Sequence, residues 1–552
     1  MPVRISRPIS SRAMSSSAMS SSTMPSRAIS RRRFLATAAA STTITAVGGI
    51  ARPYLSRAAD RPLITHGIQS GDVSSDSAVI WARTDRPARM LAEVATTDSF
   101  KTIQRAVYVD ALPDSDFTVN ALIDGLPAGQ DMFYRIRFED LNEPTIVGEA
   151  KVGRFRTAPS DRRSIAFIWS GDTAGQGWGI DEARGGMRTY ATMLRHRPDF
   201  LIHSGDNIYA DGPIPAEQKM PNGEIWKNLI TEDKAKPAET LAEFRGNYKY
   251  NLLDKNVLAF NAEIPIFSQW DDHEVTNNWW PGEPLTRAEH QRKKYVDKNV
   301  LLLAARASRA FHEYMPMRQT QAEAGRIYRK ISYGPLLDVF MLDMRSYRSP
   351  NAEGMEEKYG RSAHFLGPTQ VAWLKRELIN SQATWKVIAA DMPISLVVVY
   401  DGDRKWGVEA VAQGDNGPAR GRELEIADLL SFIKHAGVNN TVWLTADVHY
   451  TAAHYYDPNK AVFQDFEPFW EFVSGPIHSG TFGPNALDNT FGPQQVYVKA
   501  PTEAQGQNLP PSDGLQFFGH VAIDGATQVM TVTLRDVDDH ALWSTTIEPK
   551  PG

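Results

Sequence analysis

The chain has 552 residues, of which 42% are apolar and 23% are charged, as expected for a globular protein of two or more domains. It contains no cysteine, which excludes disulfides, thiolate zinc sites, iron–sulfur clusters and cysteine nucleophiles. Any metal must therefore bind to Asp, Glu, His, Asn or Tyr side chains. Residues 60–552 carry 51 Lys and Arg against 65 Asp and Glu, an acidic balance that argues against a nucleic-acid-binding surface.

Residues 1–59 differ from the rest, with nine arginines, many serines and no acidic residue. The segment "SRRRFLA" (Ser30 to Ala36) places a twin arginine before an uncharged stretch that is too short and too weakly apolar for a membrane helix. This pattern resembles a twin-arginine (Tat) export signal, which carries folded proteins across a bacterial inner membrane. The alternative is a basic disordered tail. We therefore expect a periplasmic or secreted protein, with the Tat translocase as a partner during export and no permanent membrane anchor.

Residues 60–160 are predicted to form a small all-β domain. Runs such as "SAVIWARTD", "MLAEVATT" and "MFYRIRFED" are rich in β-branched and aromatic residues and are separated by Pro, Gly and Asp. Tyr134 follows a Leu-Pro corner, as in fibronectin- and Ig-like sandwiches. The segment has no cluster of chemically active side chains, so we expect a structural role for it.

Residues 161–552 change to continuous apolar runs separated by helical patterns. The runs include "SIAFIWS", "DFLIHS", "IPIFSQW", "LLDVFMLD", "WKVIAAD" and "TVWLTAD", and the helical patterns include "TQVAWLKRELINS" and "GRELEIADLLSFIKHAG". Buried strands that alternate with helices favour an α/β fold with a central sheet. The segment 516–547 returns to strand-like alternation, which predicts strands that complete an outer sheet.

Acidic residues mark the ends of nearly all these apolar runs. Ligand sites in open α/β sheets form at the carboxyl ends of strands, so these side chains are expected to converge there. So much negative charge in one crevice requires compensating cations. The acids concerned are Asp172, Asp206, Asp271, Asp272, Asp343, Asp391 and Asp447.

Three of these ends carry a second kind of ligand. Tyr209 lies three residues after Asp206, His273 directly follows Asp272, and His449 lies two residues after Asp447. On an extended segment, residues two apart face the same side, so Asp447 and His449 can point at one centre. Donors rich in oxygen and poor in histidine favour Fe, Mn, Mg or Ca over a structural zinc.

The ordered motifs "SGD", "HSGDNIYADG", "WDDHEVTNNWW", "LDMRSYR", "LGPTQVAWLKREL" and "TADVHY" resemble the alkaline phosphatase D (PhoD) family, a branch of the calcineurin-like metallophosphoesterases. The resemblance extends from about residue 62 to the C-terminus. It implies a metallophosphoesterase β-sandwich flanked by helices over 161–552, after the all-β domain of 60–160 and a leader over 1–59. It also implies an exported phosphatase or phosphodiesterase.

The resemblance assigns roles to individual residues. It implies that His273 is a general acid or a phosphate contact and that Asn277 faces the bound phosphate. The phenolate at the tyrosine position implies iron in one site, as in purple acid phosphatases. The implied metal ligands are Asp172, Asp206, Tyr209, Asp272, Asp447 and His449.

One residue departs from the family pattern. Members described as iron- and calcium-dependent have a cysteine iron ligand at the end of the first strand, where this chain has Asp172. The resemblance implies two or more metal ions, iron plus calcium among them. Because Asp172 replaces the cysteine, Mn, Zn and Mg are left open as well.

The implied reaction is attack of a metal-bound hydroxide on a phosphoester, with release of phosphate. The substrate is expected to be a small phosphoester, a lipid or a polymer. A phospholipase D-like or teichoic-acid-type phosphodiesterase is the first alternative, and an inactive cell-surface binding protein is the second. A nucleotide-binding module lacks support, because the chain has no glycine-rich phosphate loop.

Weaker candidates lie outside this set. Arg345 either contacts phosphate or forms a salt bridge with Asp343 or a neighbouring acid. Asp415 and Asn416 are further site candidates, whereas His454 and His478 are expected to be structural.

Overall fold

The computed structural model describes residues 60–320, 323–399 and 407–550. The twin-arginine leader predicted over residues 1–59 lies outside these ranges. Within them, the chain forms 22 strands and seven α-helices. The helices of the described ranges include none that is both long enough and apolar enough to span a bilayer.

The first seven strands form the two layers of the predicted all-β sandwich. One layer is a four-stranded antiparallel sheet in the order β4-β3-β6-β7, and the other consists of β1, β2 and β5. Apolar side chains from both layers share one core, among them Met90, Ile136 and Ile80. The strands are β1 (Ile64–Gly71), β2 (Ala78–Thr84), β3 (Ala88–Ala95), β4 (Ile103–Ala111), β5 (Thr118–Ile123), β6 (Asp131–Asp140) and β7 (Lys151–Arg156).

The apolar runs of the second part divide between two sheets rather than forming the one central sheet that their pattern favoured. A continuous apolar run indicates a strand covered on both faces but does not say which sheet it joins. The β-sandwich implied by the family resemblance is confirmed. Its strands are β8 (Ile165–Ser170), β9 (Leu201–Ser204), β10 (Glu217–Lys219), β11 (Ile225–Lys227), β12 (Ile266–Gln269), β13 (Arg329–Ser332), β14 (Leu337–Met341), β15 (Trp385–Ala389), β16 (Thr441–Thr445), β17 (Thr451–Tyr456), β18 (Phe469–Val473), β19 (Pro493–Lys499), β20 (Phe517–Ile523), β21 (Met530–Asp536) and β22 (Ala541–Ile547).

The larger sheet has nine strands in the order β22-β21-β20-β8-β9-β12-β1-β2-β5. The C-terminal strands β20 to β22 form its outer part, as predicted. At the other end, β1 pairs in parallel with β12 through Gly71 and Ile266. One layer of the N-terminal sandwich is therefore continuous with the sheet that carries β8, β9 and β12.

The second sheet has seven strands in the order β13-β14-β15-β16-β18-β17-β19 and packs face to face against the first. Phe167 and Ile202 of the nine-stranded sheet share a core with Val387 and Leu444 of the seven-stranded sheet. Trp169 of β8 also donates a hydrogen bond from Nε1 to the carbonyl of Thr445, at the end of β16, over 3.2 Å. This bond joins the two sheets directly beside the ends of β8 and β16.

Helices cover the outer faces of both sheets. Most helices of the first half of the chain pack on the nine-stranded sheet, and the last two pack on the seven-stranded sheet. Local signals fix their starts: Thr240 and Glu243 form a capping box, and Pro368 occupies a first helical position. The helices are α1 (Arg188–Arg195), α2 (Leu241–Asn251), α3 (Lys255–Glu263), α4 (Ala288–Arg292), α5 (Val300–Tyr314), α6 (Pro368–Asn380) and α7 (Glu423–His435).

The carboxyl ends of β8, β9 and β12 lie side by side at one edge of the larger sheet. Residues of β8, β9 and β12 are paired in parallel register, with Ser170 opposite His203 and Ser204 opposite Gln269. Gly205 follows β9 with a φ of +93°, and a Cβ atom there would lie 2.4 Å from the Cβ of Asp271. Only glycine allows the ends of β9 and β12 to approach so closely. This close approach brings together the acidic residues that follow the two strands.

A buried ion pair ties the N-terminal layer to both sheets of the second part. Asp72, just after β1, accepts hydrogen bonds of 2.7 Å on each of its two oxygens from the guanidinium of Arg329 in β13. The same guanidinium donates to the carbonyl of Ser268 in β12 over 2.9 Å. Three strands from two sheets therefore meet at one pair of charges.

We expect Asp72→Ala to lower the free energy of unfolding by about 3–5 kcal/mol, because it leaves a buried guanidinium without its carboxylate. Urea unfolding followed by tryptophan fluorescence measures this change. The control is Asp110→Ala, which removes an exposed ion pair with Arg89 in the same sandwich and should change stability much less. Equal effects of the two substitutions would contradict the proposed anchoring role of Asp72.

Candidate metal centre

Three clusters of acidic and histidine side chains lie where the strands end, and in each the ligand atoms are within 4.8 Å of one another. Asp206 belongs to the first two clusters and Asp272 to the last two. The clusters are Asp172, Asp206 and His449; Asp206, Asp272 and His273; and Asp271, Asp272 and Asp447. The structure thus gathers residues that are up to 277 positions apart in the chain.

The backbone turns sharply at these positions. Asp172, Asp206, Asp447 and His449 all have positive φ angles, of 68°, 49°, 65° and 60°. This left-handed conformation costs non-glycine residues about 1–3 kcal/mol each and is found mainly at functional sites. Here it redirects each side chain from its strand toward the common centre.

The first cluster contains two carboxylate oxygens that have no partner. Asp172 is 1% exposed, and neither of its side-chain oxygens accepts a hydrogen bond. Its Oδ1 lies 3.5 Å from Nε2 of His449. Burial and the neighbouring carboxylate of Asp447 raise the pKa of Asp172 well above its usual value. A buried carboxylate with free oxygens fits a cation ligand.

His449 is held in the form that binds metals. Its Nδ1 lies against the carbonyl oxygen of Gly480, so this nitrogen carries the proton and donates it to that oxygen. Burial lowers the pKa of His449 to about 4, so the ring is neutral at pH 7 and Nε2 presents a lone pair to the cluster. A backbone carbonyl behind one ring nitrogen is the usual support of a metal-bound histidine.

Tyr209 reaches the same cluster from the loop after β9. Its hydroxyl lies 2.8 Å from Nε2 of His449, and the residue is 1% exposed. Burial, followed by the negative charges of Asp206 and Asp172, raises the pKa of the phenol well above 10. The phenol therefore stays protonated unless a cation binds beside it.

The second cluster lies at the floor of an open cavity. Asp272 accepts a hydrogen bond on Oδ2 from the backbone of Asn278, whereas its Oδ1 has no partner. Burial and the carboxylate of Glu409 raise the pKa of the nearby Asp447 to about 8, although Arg345 opposes the shift. An oxygen without a partner, as in Asp272, and a raised pKa, as in Asp447, are both typical of carboxylates that need a positive charge nearby.

His273 differs from His449 in its protonation. Burial alone would lower its pKa, but the carboxylates of Asp211 and Asp272 outweigh burial and raise the pKa to about 9. Nδ1 donates to Oδ1 of Asp211 over 2.6 Å, and the ring lies 4.3 Å from that of Tyr209. His273 is therefore an imidazolium at neutral pH, able to donate a proton into the cavity.

Sequence reasoning missed Asp211, the second acid of "GDNIYADG". Besides His273, this buried carboxylate accepts hydrogen bonds on Oδ2 from Nζ of Lys293, over 2.5 Å, and from the backbone of Asn277, over 2.8 Å. The signal that could have identified Asp211 was the presence of a second acid close to Asp206. The partner Lys293, 82 residues further along the chain, gave none.

The cavity has a volume of about 240 Å³ and mixes carboxylates, amides and apolar side chains. Asn277 lines it, but its amide nitrogen lies 3.4 Å from a carboxylate oxygen of Glu289 rather than pointing freely inward. The lining residues are Gln176, Asp206, Asp272, His273, Asn277, Asn278, Val398, Asp447, Val448, His449, Phe482 and Asn485.

Two acids of "WDDHE" support the cluster. Glu274 accepts hydrogen bonds from the backbone amides of Asp206, Asn207 and Asp271, which joins the ends of β9 and β12. Asp271 accepts from the guanidinium of Arg345 over 2.6 Å. The salt-bridge alternative for Arg345 therefore holds, and the side chain does not line the cavity.

The remaining candidates lie away from the described cavity lining. Asp343 accepts a hydrogen bond from the indole of Trp270, so this strand end does not face the cavity. Asp415 accepts from the backbone of Gly417, and Asn416 donates its backbone hydrogen to Asp488. The two histidines expected to be structural are buried: His454 bonds to Glu471, and His478 donates to the carbonyl of Gly179.

Two family models match the chain. The model of PhoD-like phosphatases matches residues 167–534, and the model of their N-terminal domain matches residues 49–159. Alkaline phosphatase D of Bacillus subtilis (strain 168) is 28% identical over 460 residues, which cover 79% of this chain and 72% of that protein.

Solved structures share the fold. A structure of PhoD aligns with a TM-score of 0.63 and 22% identity over 88% of both chains. A purple acid phosphatase from yellow lupin (Lupinus luteus) seeds aligns with a TM-score of 0.52 and 11% identity, over 88% of this chain and 74% of the other.

We expect Asp206→Ala to remove the metal ions of both of the first two clusters, because Asp206 is the residue that they share. Elemental analysis of the purified protein by mass spectrometry measures this loss. Asp343→Ala is the matched control: it removes a buried strand-end acid outside the clusters, so this variant should keep the wild-type metal content. Wild-type metal content in Asp206→Ala would refute the assignment.

Proposed function

The chain belongs to the PhoD-like phosphatase family and is a phosphoester hydrolase, and from this premise we propose that it is an exported, metal-dependent phosphatase or phosphodiesterase. One observation carries the proposal: Asp206 is shared by two buried clusters at the floor of a cavity that also contains His273. Two adjacent cation positions are the arrangement of two-metal phosphoesterases.

The residues present fit such metal ions. Both oxygens of Asp172 and one oxygen of Asp272 are buried without a partner, and His449 presents an unprotonated nitrogen. Bound cations would supply Lewis-acid charge to the phosphoryl oxygens and lower the pKa of a water molecule. We assign Asp172, Asp206, Tyr209 and His449 to one ion, and Asp206, Asp272 and Asp447 to the other.

The donor chemistry narrows the choice of metals. Tyr209 favours iron for the first position, as the family resemblance implies, and Asp172 provides oxygen where a thiolate would be expected. The second position offers only carboxylate oxygens, which suit hard divalent cations such as Ca²⁺, Mg²⁺ or Mn²⁺. We therefore propose that the centre holds two different metal ions.

His273 is proposed to protonate the leaving oxygen. It lines the cavity as an imidazolium, and Asp211 holds its Nδ1 so that Nε2 is the nitrogen free to donate. Protonation of an alkoxide as it departs typically accelerates such reactions by about 10²–10⁴-fold. Asn277 and the other amides of the lining are available to hold phosphoryl oxygens.

The organic part of the substrate has a separate wall. Val398, Val448 and Phe482 line the cavity, and the ring of Phe482 lies 5.3 Å from that of His449. A monoester has one organic group that can contact such a wall, and a diester has two. The wall therefore suits both classes of ester, including lipid or polymer diesters as the second candidate class, and parallel assays of a nitrophenyl monoester and diester separate the two.

We expect His273→Gln to lower the rate by about 10²–10⁴-fold for an alkyl phosphate but much less for a nitrophenyl phosphate, whose leaving group needs no proton. Steady-state kinetics with both substrates measures the difference, and elemental analysis should find the wild-type metal content. Equal losses for the two substrates would exclude the role of proton donor. Loss of metal would instead make His273 a ligand.

Export is proposed from the leader, whose twin arginine lies within residues 31–33. We expect replacement of Arg31, Arg32 and Arg33 by lysine to retain active enzyme in the cytoplasm, because a Tat signal requires arginine whereas a basic tail needs only charge. Activity in periplasmic and cytoplasmic fractions of the host measures the distribution. Unchanged export of the lysine variant would contradict a twin-arginine signal, and absence of export of the wild-type protein would favour the basic-tail alternative.

A further inference from the structure

The third acidic cluster, Asp271, Asp272 and Asp447, has the ligand spacing of a cation site but belongs to neither of the proposed metal positions in full. Asp271 is completely buried, and Asp447 has 14% of its side chain exposed. Three carboxylates at this spacing repel one another unless a positive charge lies among them. A cation is therefore expected at this corner of the site, which we define as the Asp271–Asp272–Asp447 cluster.

The guanidinium of Arg345 lies at this corner. Its Nη2 is 2.5 Å from Oδ1 of Asp271 and 3.4 Å from Oδ1 of Asp447. Its Nε also donates to Oδ1 of Asp271 over 2.6 Å. The side chain is 0% exposed, so the whole charge is available to these carboxylates without screening by water.

Arg345 is fixed from behind by two more carboxylates. Nε lies 3.3 Å from Oδ2 of Asp391, and Nη1 forms an ion pair with Glu409. Its backbone amide donates to Asp343 over 3.1 Å. Because these contacts come from the ends of β14 and β15 and from the loop that contains Glu409, the guanidinium cannot move without breaking several charge-assisted hydrogen bonds.

The layer behind Glu409 is also rigid. Arg348 donates to the same oxygen of Glu409 over 2.7 Å, and Arg422 donates to the backbone carbonyls of residues 408–410. Arg348 and Arg422 do not contact Asp271 or Asp447 in the described hydrogen bonds. Arg345 is thus the guanidinium that faces the metal clusters, and Arg348 offers a buried control of the same chemistry.

We infer that Arg345 is the resident cation of the Asp271–Asp272–Asp447 corner, where it takes the place of an additional metal ion. It engages Oδ1 of Asp271 and so leaves Asp272 as the acid of this pair that faces the metal positions. It also holds Oδ1 of Asp447, which orients that carboxylate toward the second ion. Arg345 is a positioning residue, and the inference rests on the metal centre of the proposed function.

The test compares the number of bound cations in wild type, Arg345→Gln, Arg345→Lys and Arg348→Gln. Each protein is stripped with a chelator, equilibrated with Ca²⁺ alone, and analysed for Ca²⁺ per chain by mass spectrometry. We expect Arg345→Gln to bind one Ca²⁺ more than wild type, because the corner then lacks its positive charge. Arg345→Lys keeps the charge, and Arg348→Gln leaves the corner intact, so both should match wild type.

The double variant Arg345→Gln with Asp271→Asn separates charge from packing. It removes one positive and one negative charge, so we expect it to return to the wild-type Ca²⁺ number. The melting temperature of Arg345→Gln should rise with Ca²⁺ more steeply than that of wild type, because the added ion replaces the guanidinium.

Several outcomes would overturn the inference. They are an unchanged Ca²⁺ number in folded Arg345→Gln, the same extra ion in Arg348→Gln, or an Arg345→Gln protein that stays unfolded at all Ca²⁺ concentrations while Arg348→Gln folds. If wild type binds no metal but Arg345→Gln gains one ion, the inference stands and the proposed function fails.

Discussion

Buried negative charge is the constraint on which the site depends. Eight carboxylates lie in or directly behind the metal clusters, and seven of them are buried. Each such charge costs several kcal/mol to remove from water, so the arrangement persists only if positive charges accompany it. Protein cations provide part of this compensation, and the unpartnered oxygens show where the rest is missing. The carboxylates are Asp172, Asp206, Asp271, Asp272, Glu274, Asp391, Glu409 and Asp447.

The protein cations and the unpartnered oxygens of the proposed metal ligands lie on different sides of the cluster. Arg345 neutralises the back of the cluster, and Lys293 with Asp211 supports His273 at one side of the cavity. In the described contacts Asp172 has no Lys or Arg partner, and neither of its side-chain oxygens accepts a hydrogen bond. The fold therefore places fixed protein cations behind and beside the cluster and leaves unpartnered oxygens on Asp172 and Asp272 for the proposed metal ions.

The sequence allowed part of this to be predicted. A carboxylate at the end of an apolar run is visible locally, which is why Asp206 and Asp447, with His449 close behind it, could be named. They follow β9 and β16, which belong to different sheets, so they meet because the two sheets pack face to face and not at a common sheet edge. The assignment of runs to two sheets could not be predicted, because a strand buried on both faces looks the same in either sheet. The partners of the site residues were also hidden: Arg345 meets Asp447 across 102 residues, and nothing in the pattern near either residue indicates this contact.

Charge compensation also links the site to folding. Buried carboxylates without partners destabilise the folded chain, so the proposed metal binding would be coupled to folding. Such a protein must meet its metals in the compartment where it folds. The proposed twin-arginine leader fits this requirement, because that export route accepts folded proteins and so lets the metals be acquired before the membrane is crossed.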